Sequence, residues 1–218
     1  MRKSIQQLVV SVLGSLLVAT LLPGGSRAEL VSGDYAAPGD GGVTIDTLTN
    51  LEWIDLTRTT NLSFNDIMSG NGNTWLADGW RYATTSDVCG LFDTYGAIPS
   101  PCPRPGYFVA VAPTSTVLAL QSLFGVTDVA GTGSRRAGGF FDDGSGNGLI
   151  GWASITQSYY ELKDGFEVEA DDIYLSESGP RWGNFLVRPV PEPSTALALM
   201  TGLAMLGIRG RRDRALRH

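Results

Sequence analysis

Histidine is almost missing from these 218 residues: there is one, His218, at the last position. With the C-terminal segment set aside, as argued below, the remaining chain has none. That excludes Ser-His-Asp and Cys-His catalysis, an H-E-x-x-H zinc site and any imidazole ligand. Cysteine is scarce too, with only Cys89 and Cys102. In an oxidising compartment the two form a candidate disulfide, worth about 3 kcal/mol by closing a short loop. The alternative is a pair of free thiols. No catalytic constellation stands out, so an activity is not legible directly.

Basic residues are also in deficit where a folded domain would lie. Three of the 16 Lys and Arg sit near the start (Arg2, Lys3, Arg27) and five sit near the end (Arg209, Arg211, Arg212, Arg214, Arg217), which leaves eight. Of the 22 acids only Asp213 lies in those flanks, so the intervening stretch carries a net charge of −13 rather than the −6 of the whole chain. Nucleic-acid binding rests on neutralising phosphates with Lys and Arg, and this balance excludes it. The balance suits an extracellular surface and divalent cations.

Both ends have directional features. Arg2 and Lys3 precede an apolar run from Leu8 to Leu22; Pro23, Gly24 and Gly25 end it, and Ser26-Arg27-Ala28 places small residues at −3 and −1 of a cut after Ala28. This is the pattern of a secretory signal peptide, residues 1–28, with an uncleaved anchor as the alternative. At the other end come Val190-Pro191-Glu192-Pro193-Ser194, an apolar run Ala196–Ile208, and the arginine cluster. A bilayer core of about 30 Å takes about 20 apolar helical residues. The 13 residues of Ala196–Ile208 are marginal as a permanent span, yet they suffice for transient anchoring, with Arg209, Arg211, Arg212 and Arg214 as a cytoplasmic stop signal by the positive-inside rule. Pro191 and Pro193 keep the motif free of helix, which suits a segment that enters a processing enzyme's cleft.

Motif, apolar helix and basic end in that order resemble the PEP-CTERM sorting signal of Gram-negative bacteria, over residues 190–218. The resemblance implies an exosortase, a membrane enzyme, that cuts near Pro191, Glu192 and Pro193, after delivery by the general secretion machinery. It also implies a role at the cell surface or in an exopolysaccharide or biofilm matrix. An ordinary short C-terminal anchor is the plainer reading.

Between the flanks lie about 165 residues, Glu29–Pro193, one domain's worth. There is no internal repeat and no dividing linker. Residues 29–42 are Gly-, Asp- and Ala-rich and read as a loose lead. Val43–Leu56 predicts two short strands around a turn at Asp46–Asn50. Ser63 with Asp66 three residues on predicts a capped short helix. Thr84–Gly96 predicts a helix capped by Thr85 or Ser86, with Val88, Leu91, Phe92 and Tyr95 on one face; Ile98–Gly106 reads as a rigid Pro-rich loop. Tyr107–Ala112 predicts a strand and Thr114–Phe124 a helix with Val117, Leu120 and Phe124 inward. Ala137–Phe141, Leu149–Ile155, Ser158–Leu162 and Phe185–Val190 predict strands. The expected fold is α+β over residues 43–190: two or three short helices packed on antiparallel strands, flanked by the N-terminal signal helix and the C-terminal hydrophobic helix.

Asp46-x-x-Thr49-Asn50-Leu51-Glu52-Trp53, then Gly79-Trp80-Arg81, a helix, and Phe185-Leu186-Val187-Arg188 resemble the bacterial C-type-lectin-like pattern D-x-x-T-G-L-x-W … D-W-R-L-P … V-R. Asn50 stands for its glycine, Gly79 for its aspartate and Tyr82-Ala83 for its Leu-Pro. The resemblance implies a lectin-like fold with Trp53 and Trp80 in the core.

Three groups remain as ligand candidates. Asp143, Ser145, Asn147 and Gly148 match the first half of a Ca²⁺ loop, but the twelfth position is Ser154 rather than an acid; a Gly-rich turn explains them equally. Glu161, Asp164, Glu167, Glu169, Asp171 and Asp172 read as a solvated acidic loop, or as paired carboxylates for glycoside hydrolysis. Trp75, Trp80, Trp152, Trp182, Tyr159 and Tyr160 read as core, or as a sugar-stacking platform. With the sorting-signal resemblance, the sequence points to an exported, exosortase-processed protein without catalytic residues or cofactor; a glycan-binding module, with or without Ca²⁺, and a carboxylate-only glycan enzyme are the alternatives.

Overall fold

Asp46 sets the first hairpin. Its carboxylate accepts hydrogen bonds from the amides of Leu48 (2.9 Å) and Thr49 (3.3 Å) and from the Thr49 hydroxyl (2.8 Å). The chain turns back through Asn50 at φ +57°. Among non-glycine residues Asn tolerates this left-handed conformation well, so it serves where the lectin-like pattern carries glycine. The strands on either side, β2 (Val43–Asp46) and β3 (Leu51–Ile54), pair antiparallel with Asp46 opposite Leu51, as expected. In this computed structural model the described residues are 29–70, 74–96, 108–131, 133–158 and 164–191. The expected signal and tail helices, most of the Ser158–Leu162 strand and the Ile98–Gly106 loop lie outside them.

Residues 29–42 are not a loose lead. Leu30–Gly33 forms β1, antiparallel to β2. The turn after it is closed by Asp40, whose carboxylate accepts from the amides of Tyr35 (2.8 Å), Ala36 (3.0 Å) and Gly42 (3.0 Å) and pairs with Arg58 at 2.9 Å. Those amides, Ala36 and Tyr35 foremost, hold the Asp40 carboxyl well below the ordinary carboxylate range.

The remaining strands are β4 (Arg81–Tyr82), β5 (Phe108–Val111), β6 (Asp128–Val129), β7 (Arg135–Phe141), β8 (Leu149–Gln157), β9 (Gly165–Tyr174), β10 (Gly183–Asn184) and β11 (Leu186–Pro189). One sheet runs β1-β2-β3-β11-β4. The other runs β10-β7-β8-β9-β5, with β6 also on β7. The pairs are antiparallel except β10 with β7. β9 corrects the reading of the acidic run as a solvated loop from Gly165 on; Glu161 lies outside the described residues. Phe166 and Val168 are fully buried while Glu167 and Glu169 alternate to the other face, the period-2 pattern of a strand. Asp164 is buried too, accepting from the Ser158 amide at 3.0 Å.

The helices form where the caps predict. α1 (Phe64–Ser69) has the full reciprocal capping box between Ser63 and Asp66. α2 (Thr85–Gly96) is capped one residue earlier than expected. Thr84, not Thr85 or Ser86, exchanges hydrogen bonds with Asp87, which also takes Arg81 at 2.7 Å. α3 (Thr114–Phe124) follows the expected bounds and buries Val117, Leu120 and Phe124. These two helices pack with both sheets into one core around Trp53, Leu56, Phe92, Phe141, Phe166 and Phe185. Trp53 meets Phe124 and Phe185 edge-on at 5.9 and 6.2 Å. A second cluster, Ile54, Ile67, Trp80, Tyr82 and Leu186, lies with α1 against the first sheet. The fold is α+β, with few helices and mostly antiparallel sheets.

Gly183–Pro189 belongs to both sheets. β10 joins β7 and β11 lies between β3 and β4. Asn184, fully buried, fixes the crossing: its amide N–H donates to Thr59 Oγ1 (2.7 Å), its Nδ2 donates to the carbonyls of Thr59 (3.0 Å) and Leu62 (2.9 Å), and its Oδ1 accepts from Tyr82 (2.7 Å). A Cβ at Gly183 would collide with the backbone carbonyl of Leu56. Gly183→Ala is therefore expected to destabilise the fold by about 2–3 kcal/mol, as overpacking against rigid backbone does, read from urea unfolding with an unchanged m-value.

Burial, then the nearby Asp66 and Asp142, raises the Tyr82 phenol; burial and the Asp46 hydrogen bond raise Tyr95; burial and Asp78 raise Tyr35. A phenol raised in the folded state contributes stability that is complete below its unfolded pKa of about 10 and is lost as pH rises through the folded value. The melting temperature is thus expected to be flat from pH 7 to 9 and to fall above pH about 10. Tyr82→Phe should lower it at pH 7 yet make the alkaline fall shallower.

Candidate functional site

Two regions bear on function. The first is where the domain meets the motif. Arg188 on β11 pairs with Glu52 on β3 at 2.6 Å, its register partner, and its guanidinium sits 4.5 Å from the centre of the Trp80 ring. Glu52 is buried, and this pairing with a cation stacked on an indole satisfies its charge. The next bond beyond the strand runs from the Val190 amide to the Asn50 carbonyl at 3.0 Å. Pro191 is exposed. Glu192, Pro193, Arg209, Arg211, Arg212 and Arg214 lie outside the described residues. The fold is thus secured to within one or two residues of the motif.

Asp46, Thr49, Asn50, Glu52, Trp53, Trp80, Arg81 and Arg188, singled out by pattern, all do structural work. They turn the first hairpin, fill the cores or brace β11. Trp53 and Trp80 are buried, as the resemblance implies.

Asp143, Ser145, Asn147 and Gly148 form the β7–β8 turn. Asp143 Oδ1 accepts from the Ser145 amide, and Asn147 Oδ1 accepts from both the Ser145 hydroxyl and the Leu149 amide, each at 2.9 Å. Gly144, Gly146 and Gly148 take positive φ there. The side-chain oxygens proposed as cation ligands are engaged by the loop itself. Among the described residues no cluster of three His, Cys, Asp or Glu is placed to hold a metal. Cys89 is buried and carries no free thiol; Cys102 lies outside the described residues.

The four tryptophans among the six aromatic candidates do not make one platform. Trp75 and Trp80 pack edge-to-face at 6.4 Å, with Tyr35 5.4 and 6.0 Å from them. Tyr159 and Tyr160 lie outside the described residues. Trp152 and Trp182 do meet, at 5.3 Å and 67°. They line a cleft of about 300 Å³ with Phe140, Ile173, Tyr174 and Glu177.

The second sheet's pairing builds this cleft. Register places Phe140 opposite Trp152 and Trp152 opposite Glu169. Trp182 stacks on Phe140 at 5.8 Å and lies over Gly138, where a Cβ would be 2.8 Å from its ring. Arg136 sits 5.3 Å from the centre of the Trp182 ring. One residue row along, Glu167 accepts from Ser154 at 3.0 Å. The far wall is the β9–β10 connection, held by hydrogen bonds from Asn65 to Leu175 (3.1 Å), Glu177 to Tyr174 (2.8 Å) and Asn61 to Gly179 (3.0 Å). The sequence reading missed Phe140, Tyr174 and Glu177. The signal was the period-2 pattern of 165–170, which extends β9 to Tyr174 and carries that residue to the cleft.

Among the described residues no helix is long and apolar enough to cross a membrane. No curated protein and no solved structure matches the chain, so the lectin-like resemblance gains no support there. The PEP-CTERM protein-sorting motif matches residues 189–214, beginning at the last residue of β11. The chain carries this motif, and with it the signature of an exported protein that is anchored transiently at the membrane and then processed by an exosortase.

Proposed function

We propose that the processed chain is a non-catalytic protein of the cell surface or extracellular matrix, associated with exopolysaccharide. The observation that carries this is the junction. β11 ends at Pro189, the Val190 amide is the next to be bonded, and the sorting motif takes over there. A cut at or beyond Pro191 leaves both sheets, the Glu52–Arg188 pair and the Asn184 network whole. The product is a complete acidic domain with no tail. Its lack of histidine and its hydrogen-bonded carboxylates favour binding over turnover.

Intact mass of the protein recovered from the host's surface and medium tests this. The expected mass spans residues from about Glu29 to near Pro193. Reduction should add two hydrogens if Cys89 pairs with Cys102. A mass retaining Ala196–His218 would sink the sorting reading.

The cleft favours a second reading within the same setting, a glycan-binding module. Because Asn147 Oδ1 accepts two hydrogen bonds inside its own turn, we expect glycan retention to be unaffected by EDTA. Loss of retention in EDTA, restored by Ca²⁺, would return Asp143, Ser145 and Asn147 to a ligand role.

A further inference from the structure

We propose that the cleft between Trp152, Trp182 and Tyr174 is a subsite for one uncharged pyranose ring of a polysaccharide. The inference rests on the glycan-binding reading and names its site and ligand class.

The shape comes first. About 300 Å³ is the lower end of small-molecule sites. It suits one ring of a chain that runs on past the rim and is too small for a large cofactor. Two indoles inclined at 67° form a corner, with buried Phe140 as its floor. A pyranose presents flat patches of C–H bonds that pack on such ring faces, and hydroxyls around its edge. Tyr174, 70% exposed, stands at the rim with its hydroxyl free of the core. An exposed Tyr here presents an apolar ring face and a polar tip to whatever enters the cleft.

The polar partners agree. Glu177 is exposed and supplies acceptor oxygens for sugar hydroxyls. The Tyr174 hydroxyl both donates and accepts. The charge then selects the ligand. Glu177 lines the cleft and Glu169 lies opposite Trp152 on β9. The domain as a whole is strongly acidic, so a polyuronate or phosphorylated glycan is repelled. Arg136, beside Trp182, brings one positive charge to that wall against these two carboxylates.

The walls are built before any ligand arrives. Gly138 leaves room for Trp182 to lie against β7, and the connection Leu175–Gly179 is tied by backbone bonds to Asn61 and Asn65. The seated indole of Trp182 and the tied backbone of the connection thus lose little freedom on binding.

The test is affinity electrophoresis of the processed protein recovered from its host. Gels would contain neutral hexose polymers, the host's own matrix polysaccharide, or a polyuronate, and tryptophan fluorescence would be titrated with neutral oligosaccharides. We expect retardation by a neutral polymer, none by polyuronate, and a saturable emission change. Tyr174→Ala and Glu177→Gln, both at exposed positions, should each weaken binding at least tenfold with unchanged melting temperature. Gly138→Val, which displaces Trp182, should abolish it. Leu48→Ala, exposed on the first hairpin, should bind as the parent does. Absence of retardation by every neutral polymer overturns the proposal, as does parental affinity in both Tyr174→Ala and Glu177→Gln, or a preference for polyuronate. Self-association or peptide capture through the cleft would also overturn it. These failures leave the mass and location of the processed protein as found, so they are separable from failure of the sorting reading.

Discussion

The structure depends on one seven-residue stretch being shared by two sheets. Gly183–Pro189 pairs parallel with β7, crosses at the buried Asn184, and ends between β3 and β4. Leu186 and Val187 are neighbours in sequence and face opposite cores, both fully buried. Because parallel and antiparallel pairings meet within a few residues, the crossing exposes backbone groups that neither ladder satisfies. Asn184 and Thr59 satisfy them, and an unpaired buried amide there would cost about 1–3 kcal/mol. The contacts that complete both sheets are therefore made by the last elements of the domain, in sequence positions far from β2, β3 and β7.

That arrangement has a consequence for an exported chain. Long-range pairings form only once the C-terminal part of the domain is available, and their loop-closure entropy is met late. The sorting motif begins at the last residue of β11, so the tail follows directly on the last strand to dock. Arg188 is the residue that links strand and motif. It is held by Glu52 across β3 and by the Trp80 face, and it lies one residue before the matched motif. Pulling on the tail thus loads a charge-assisted, partly buried pair rather than a frayed strand.

Local chemistry made much of this legible in the sequence. The Asp46–Asn50 turn, the Ser63–Asp66 box and the bounds of Thr114–Phe124 depend on residues a few positions apart, and each stands where its pattern puts it. The tail was legible because its three parts carry meaning in order, whatever the domain does. β1 was not, because as a half-exposed edge strand its four residues lack an apolar period. β4, β6 and β10 are two residues long, too short for any period. The acidic run conceals its strand because the charges stand between the alternating apolar residues: Phe166 and Val168 decide the strand, and the acids between them follow.

The cleft was the least legible part, for a reason of register. Trp152 meets Phe140 only because β7 and β8 pair through a turn whose three glycines take positive φ, and a one-residue slip would send Trp152 into the core. Trp182 reaches the same place through the β9–β10 connection and is seated by the missing side chain at Gly138. A sequence scan counts tryptophans; it does not sort them into the Trp75–Trp80 pair, which packs beside the first sheet under Arg188, and the Trp152–Trp182 pair, which lines a surface. The glycines at 138, 144, 146 and 148 perform that sorting by fixing register and leaving space, so residues with no functional groups determine which aromatic residues are available to a ligand.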